Sequence, residues 1–115
     1  MTHTPIDGPT LDALKAATGA DFVRELVDTF LADAPDMIAQ LHHALASGDA
    51  ATFRRTAHSL KSNANTFGAQ ALGERAKALE LGGLDPVRAA GGAPLADLER
   101  EFARAAVALK EAAHG

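Results

Sequence analysis

The chain has 115 residues and a formal net charge of −4, which suits one domain and argues against general nucleic-acid binding. It contains no cysteine, so disulfides, thiolate chemistry and zinc–thiolate sites are excluded. No segment approaches the roughly 20 apolar residues of a membrane span, and the N-terminus lacks the features of a secretory signal, so we expect a cytoplasmic protein.

Glycine and proline divide the first half of the chain into helical segments. A short apolar run over 11–17 ends before Gly19, which can close a helix. Apolar residues then recur at helical spacing over 22–45, and Pro35 interrupts them. Because proline removes a helical N–H and clashes with the preceding turn, we predict that this long helix is kinked or broken near Pro35.

Three more segments complete the pattern. Amphipathic spacing over 53–67 and 72–79 predicts two helices, and the spacing over 95–109, with Pro94 in its first turn, predicts a final one. The Asp-Pro of the intervening segment GGLDPVRAAGGAP (82–94) could start a single helical turn, but the segment is rich in glycine and proline, so we expect a loop with little order.

Four amphipathic helices joined by mostly short turns predict an all-α fold, an antiparallel four-helix bundle with a short additional N-terminal helix. We expect one domain over 1–115 with an ordered core at about 10–112.

His58 lies on the outer face of the third predicted helix. At about 100° per residue, it is roughly 140° away from the centre of the apolar stripe formed by Phe53, Ala57, Leu60, Ala64 and Phe67. Polar and cationic side chains lie within about 60° of it: Arg54, Arg55, Lys61, Ser62 and Asn65.

Charge is distributed unevenly along the chain. Residues 51–80 hold five basic and two acidic residues, whereas the rest of the chain holds six basic and 13 acidic residues. Such a basic patch indicates an acidic or phosphorylated partner, with ordinary surface scatter as the alternative. Neutral imidazole is a nucleophile near pH 7, and the neighbouring cations would stabilise a phosphoryl group during transfer.

The segment FRRTAHSLKSNANTFGAQALGERAKALE (53–80) resembles the histidine-containing phosphotransfer (HPt) module of multistep phosphorelays. The upstream segment FLADAPDMIAQLHHALASGD (30–49) resembles the lead into the family's active helix, and the resemblance covers about residues 10–110. The residues that match the family pattern are Ala57, His58, Leu60, Lys61, Ser62, Gly68, Ala69, Leu72, Leu79 and Glu80.

The resemblance implies that His58 accepts a phosphoryl group from a receiver-domain aspartate and that Lys61 helps to hold it. The partners would be a hybrid sensor histidine kinase and response-regulator receiver domains, which would supply the Mg²⁺. The chain itself would be a phosphocarrier and a monomer, with no cofactor or metal of its own. It would have no ATP-dependent autokinase activity and no nucleic-acid or membrane partner. We assign Arg54, Arg55, Ser62 and Asn65 to the partner-binding surface.

Two other interpretations remain open. The chain could be a non-catalytic helical docking module that recognises an acidic, receiver-like partner through His58 and its cations. It could also be a degenerate HPt-like domain, although the presence of both His58 and Lys61 argues against this.

The adjacent His42 and His43 cannot both face one metal on a helix, where a spacing of four residues would be needed.

Overall fold

The computed structural model describes residues 5–114, and most of these residues are helical. The described chain forms six helices: α1 (Gly8–Thr18), α2 (Ala20–Ser47), α3 (Ala50–Thr66), α4 (Gln70–Gly82), α5 (Leu84–Ala89) and α6 (Ala93–His114). The predicted all-α fold is confirmed.

The four longest helices form a ring in which α2 packs on α3, α3 on α4, α4 on α6, and α6 on α2, while α1 packs on α2. Contacts between α2 and α6 show that these helices are antiparallel. His42 near the end of α2 pairs with Glu99 near the start of α6, and Asp28 near the start of α2 pairs with His114 at the end of α6. The predicted bundle with an additional N-terminal helix is therefore present.

The inner faces of the helices supply one hydrophobic core made mainly of leucine, alanine, valine and phenylalanine. Small residues such as Ala57, Ala64 and Ala76 are fully buried, which lets neighbouring helices approach closely. The largest fully buried side chains are Phe53, Leu11, Leu41, Leu60, Leu72, Leu95, Leu98, Leu109, Val23 and Val27.

Pro35 does not end the long helix. The helix α2 continues through it, so of the two predicted alternatives the break is wrong. Pro35 lies on the exposed side of α2, where water can satisfy the carbonyl that loses its N–H partner. Buried Phe30, Ala34 and Ile38 on both sides of the proline anchor the helix in the core.

The expected loop over 82–94 contains the short helix α5, so the prediction of little order is wrong there. Leu84 and Val87, three residues apart, are buried against the core, and this burial outweighs the poor helix propensity of the segment. Arg88 of the same turn donates a hydrogen bond to the carbonyl oxygen of Leu45 at 3.2 Å and so joins α5 to the end of α2.

Within residues 5–114, none of the helices is both long enough and apolar enough to cross a membrane.

Candidate functional site

The helix α3 presents His58 on its outer face. Asp49 caps the start of the helix, since its carboxylate accepts hydrogen bonds from the backbone N–H and the hydroxyl of Thr52. Phe53, Ala57, Leu60 and Ala64 bury the opposite face completely. The His58 side chain is 57% exposed, as the helix phase predicts, and is accessible to another protein.

A carboxylate from the neighbouring helix α4 holds His58. Oε2 of Glu80 lies 2.7 Å from Nδ1 of His58, and Oε1 of the same side chain accepts a hydrogen bond from Nζ of Lys61 at 2.8 Å. The Glu80 and Lys61 side chains are only 23% and 24% exposed. One half-buried carboxylate therefore fixes both the imidazole and the ammonium group that the sequence singles out.

This contact selects the tautomer of the neutral imidazole. An ionised carboxylate only accepts hydrogen bonds, so Nδ1 of His58 carries the proton and donates it to Glu80. Nε2 is then the nitrogen with a free lone pair. The hydrogen bond from Lys61, supported by the one from His58, holds the pKa of the Glu80 carboxyl below its usual value despite partial burial. Glu80 is consequently ionised at neutral pH.

Asn65 is directed at α4 as well. Its carboxamide fills the space that the missing side chain of Gly73 leaves open, so that a Cβ at residue 73 would overlap Oδ1 and lie 3.0 Å from Cγ of Asn65. The backbone of Gly73 is helical, so the glycine provides room rather than an unusual conformation. Asn65 and His58 thus both face α4, two helical turns apart.

The other predicted partner-binding residues surround His58 at the surface. The guanidinium group of Arg54 lies against the α4–α5 junction, with Nη2 3.1 Å from where a Cβ at Gly83 would be. Arg55 donates a hydrogen bond to the hydroxyl of Thr52 at 3.3 Å. Ser62 is exposed. The structure brings these side chains to the same face as His58, and their role in binding a partner stays a prediction.

Sequence reasoning included Glu80 in the family pattern but did not assign it to the site. The helical phase of α3 gives only the neighbours of His58 on its own helix, and these are cations. The contact depends on how α3 and α4 are aligned, which no single-helix pattern reports. The available signal was that Glu80 directly follows the buried Leu79 and so must lie at the edge of the helix interface.

No group of three or more histidine, aspartate or glutamate side chains between residues 5 and 114 is arranged to hold a metal ion.

Comparisons with known proteins identify the family and support the overall fold. The family model described as Hpt domain matches residues 25–112. The crystal structure of histidine-containing phosphotransfer protein B (HptB) from Pseudomonas aeruginosa PAO1 superposes with a TM-score of 0.82 at 30% sequence identity, covering 98% of this chain and 97% of that one. The comparison with curated proteins gives no match.

The fold and the family match define a histidine-containing phosphotransfer module. The chain belongs to the Hpt domain family. A role in histidine phosphotransfer within two-component signalling follows from this membership.

Proposed function

We propose that this chain is a phosphorelay intermediate in which His58 accepts a phosphoryl group from a receiver-domain aspartate and passes it to a second receiver. The observation that carries the proposal is the contact between Nδ1 of His58 and the carboxylate of Glu80 at 2.7 Å. It leaves Nε2 as the nucleophile of a histidine that is 57% exposed and therefore open to a partner's active site.

The transfer exchanges one bond to phosphorus for another. The lone pair on Nε2 attacks the phosphorus of the aspartyl phosphate, the Nε2–P bond forms, and the P–O bond to the aspartate breaks. The bonding electrons leave with the aspartate as its free carboxylate. The reverse reaction, with the aspartate of a second receiver as nucleophile, returns His58 to its starting state.

Glu80 would support this step by its charge. When Nε2 of a neutral ring bonds to phosphorus while Nδ1 keeps its proton, the ring becomes positively charged. The ionised Glu80 accepts the Nδ1–H hydrogen bond and so stabilises that positive charge more than it stabilises the neutral ring. Lys61, bound to the other oxygen of Glu80, would contribute to holding the phosphoryl group.

The partners would be receiver domains, including that of a hybrid sensor histidine kinase, and the Mg²⁺ would belong to the receiver. The basic residues on α3 and α4 complement an acidic receiver site and would speed the encounter.

We further propose that the chain acts in the cytoplasm as a monomer and does not phosphorylate itself from ATP. Incubation with ATP alone should therefore leave it unlabelled, and light scattering should give the mass of one chain.

The test is phosphotransfer from a panel of phosphorylated receiver domains in the presence of Mg²⁺. Wild type should acquire an acid-labile, base-stable label, His58→Gln should acquire none, and the control His43→Gln should behave like wild type. Equal labelling of His58→Gln would disprove the assignment. Tight binding of receivers without any label on wild type would favour the non-catalytic docking module instead.

A further inference from the structure

The interface between α3 and α4 has a single antiparallel register. His58 contacts Glu80, and seven residues further along α3 Asn65 contacts Gly73, which is seven residues back along α4. These four residues, with the pair that lies between them, define what we call the α3–α4 seam. The intervening pair consists of Lys61, three residues after His58 on α3, and Lys77, three residues before Glu80 on α4. The register therefore places Lys77 at the same level as Lys61 along the two helices, one helical turn from the phosphoacceptor.

The two lysines differ in their partners. Nζ of Lys61 is bound to Oε1 of Glu80, and its side chain is largely buried. Lys77 is exposed, and within residues 5–114 it makes no hydrogen bond or ion pair, although Glu74 and Glu80 are each three residues away on its own helix. Lys77 thus has an uncommitted ammonium group at the rim of the seam.

Phosphorylation would upset the charge balance of the seam. In the resting state, the positive charge of Lys61 offsets the negative charge of Glu80. A phosphoryl group adds a charge of about −1.5 to −2 near neutral pH, and the ring supplies only one positive charge in return. Any ion pair that Lys61 makes with the phosphoryl oxygens weakens its contact with Glu80. A second cation nearby would offset part of the remaining charge.

We propose that Lys77 is a second phosphoryl-binding residue beside Lys61, and that it contacts the phosphoryl oxygens on His58 from α4. This inference rests on the proposed phosphorylation of His58. Lys77 is offset from His58 by about 4.5 Å along the helix axes. Packed helices are about 8–10 Å apart, a gap that a four-carbon lysine stem and a phosphorylated imidazole can span between them.

The arginines nearby are less suited to this role. Arg54 lies four residues before His58, and its guanidinium group is packed against Gly83, just beyond the His58 end of the seam and on the opposite side of His58 from Lys77. Arg55 donates a hydrogen bond to the hydroxyl of Thr52, one turn back on α3, so its guanidinium group already has this partner. Arg75 is on the α6 side of α4, with its guanidinium 4.0 Å from the carboxylate of Asp97.

The test uses phosphoramidate, which phosphorylates imidazoles without a protein partner. Nε2 of the ring attacks phosphorus, the Nε2–P bond forms, the P–N bond of phosphoramidate breaks, and ammonia leaves while Nδ1 keeps its proton. The phosphoryl group on His58, assigned by comparison with His58→Gln, is then titrated by ³¹P NMR. The variants are Lys77→Met, Lys77→Arg and, as a matched control on α6, Lys110→Met.

A nearby cation favours the dianion, so Lys77→Met should raise the pKa of the phosphoryl group on His58 by about 0.5 at low salt. Lys77→Arg should restore the wild-type pKa, and the difference should shrink at high salt. Phosphoryl groups on other histidines such as His43 should titrate alike in all variants, and urea melting should show that the variants are equally stable.

An unchanged pKa in Lys77→Met, or an equal rise in Lys110→Met, would overturn the role of Lys77 and leave the proposed function intact. Labelling of His43 with no label on His58 would instead contradict the proposed function, and the role of Lys77 with it.

Discussion

Leu60 and His58 are two residues apart on α3, but substitution of Leu60 should destabilise the protein strongly and substitution of His58 should hardly change its stability. Leu60 is fully buried. Leu60→Ala removes three carbon atoms from the core, worth about 2.4 kcal/mol of transfer free energy at about 0.8 kcal/mol each. The cavity left behind adds to this, so we expect a total loss of about 2.7–5 kcal/mol in the free energy of unfolding. His58→Gln changes an exposed side chain and should stay within about 0.5 kcal/mol.

Urea unfolding followed by circular dichroism measures both changes. With an m value of about 1–3 kcal/mol per M, the midpoint for Leu60→Ala should fall by about 1 M or more, while that for His58→Gln should barely move. Leu60→Ala should still accept a phosphoryl group at temperatures where it is folded. A loss of stability in His58→Gln as large as that in Leu60→Ala would refute the orientation of α3 described above.

Three further outcomes follow from the contacts of α3 with α4. In Glu80→Ala the Nδ1–H tautomer of His58 should lose population to Nε2–H, which ¹⁵N NMR of the ring detects. Because the folded protein lowers the pKa of Glu80, the stability that Glu80 contributes should be present at neutral pH and lost as the pH falls below about 5. In Lys61→Met, the free energy of unfolding from urea melts should fall less over this pH range than it does in wild type, because the hydrogen bond that lowers the pKa most is gone. Gly73→Ala should stabilise the protein by less than the usual ~0.5–1 kcal/mol of helix propensity, because the new Cβ displaces the side chain of Asn65. In an Asn65→Ala background the same substitution should give the full stabilisation, and a double-mutant cycle measures this coupling.

The helices and the exposure of His58 were predictable because both follow from one helical periodicity. A pattern with buried Phe53, Leu60 and Ala64 on one side fixes the opposite side of α3 within a few tens of degrees. The same reasoning places a stripe of core residues on every long helix, and packing of those stripes produces the bundle.

The errors arose where tertiary contacts override a local rule. Pro35 should disrupt a helix, but it lies on the solvent side of a segment that the core holds on both sides of it. The glycine- and proline-rich segment before α6 should lack order, but Leu84 and Val87 find places in the core. In both cases burial of neighbouring apolar residues outweighs a propensity worth only a few kcal/mol.

The chemistry of the site was only half predictable for a related reason. The sequence surrounds His58 with cations, whereas in the structure the group that contacts its ring is the carboxylate of Glu80. Lys61 was predicted to serve the phosphoryl group, yet in the resting protein it is bound to that same carboxylate. Both facts depend on the register of α3 against α4, which the close fit of Asn65 on Gly73 shows and which no pattern within one helix encodes.

The central claim is that Nε2 of His58 carries the phosphoryl group while Nδ1 keeps its proton on Glu80. The most direct test is a ³¹P–¹⁵N correlation spectrum of protein that has been phosphorylated by a receiver domain and selectively labelled with ¹⁵N-histidine. We predict coupling of the phosphorus to Nε2 of one histidine, and loss of the signal in His58→Gln. Phosphorus coupled to Nδ1, or a signal that persists in His58→Gln, would contradict the account.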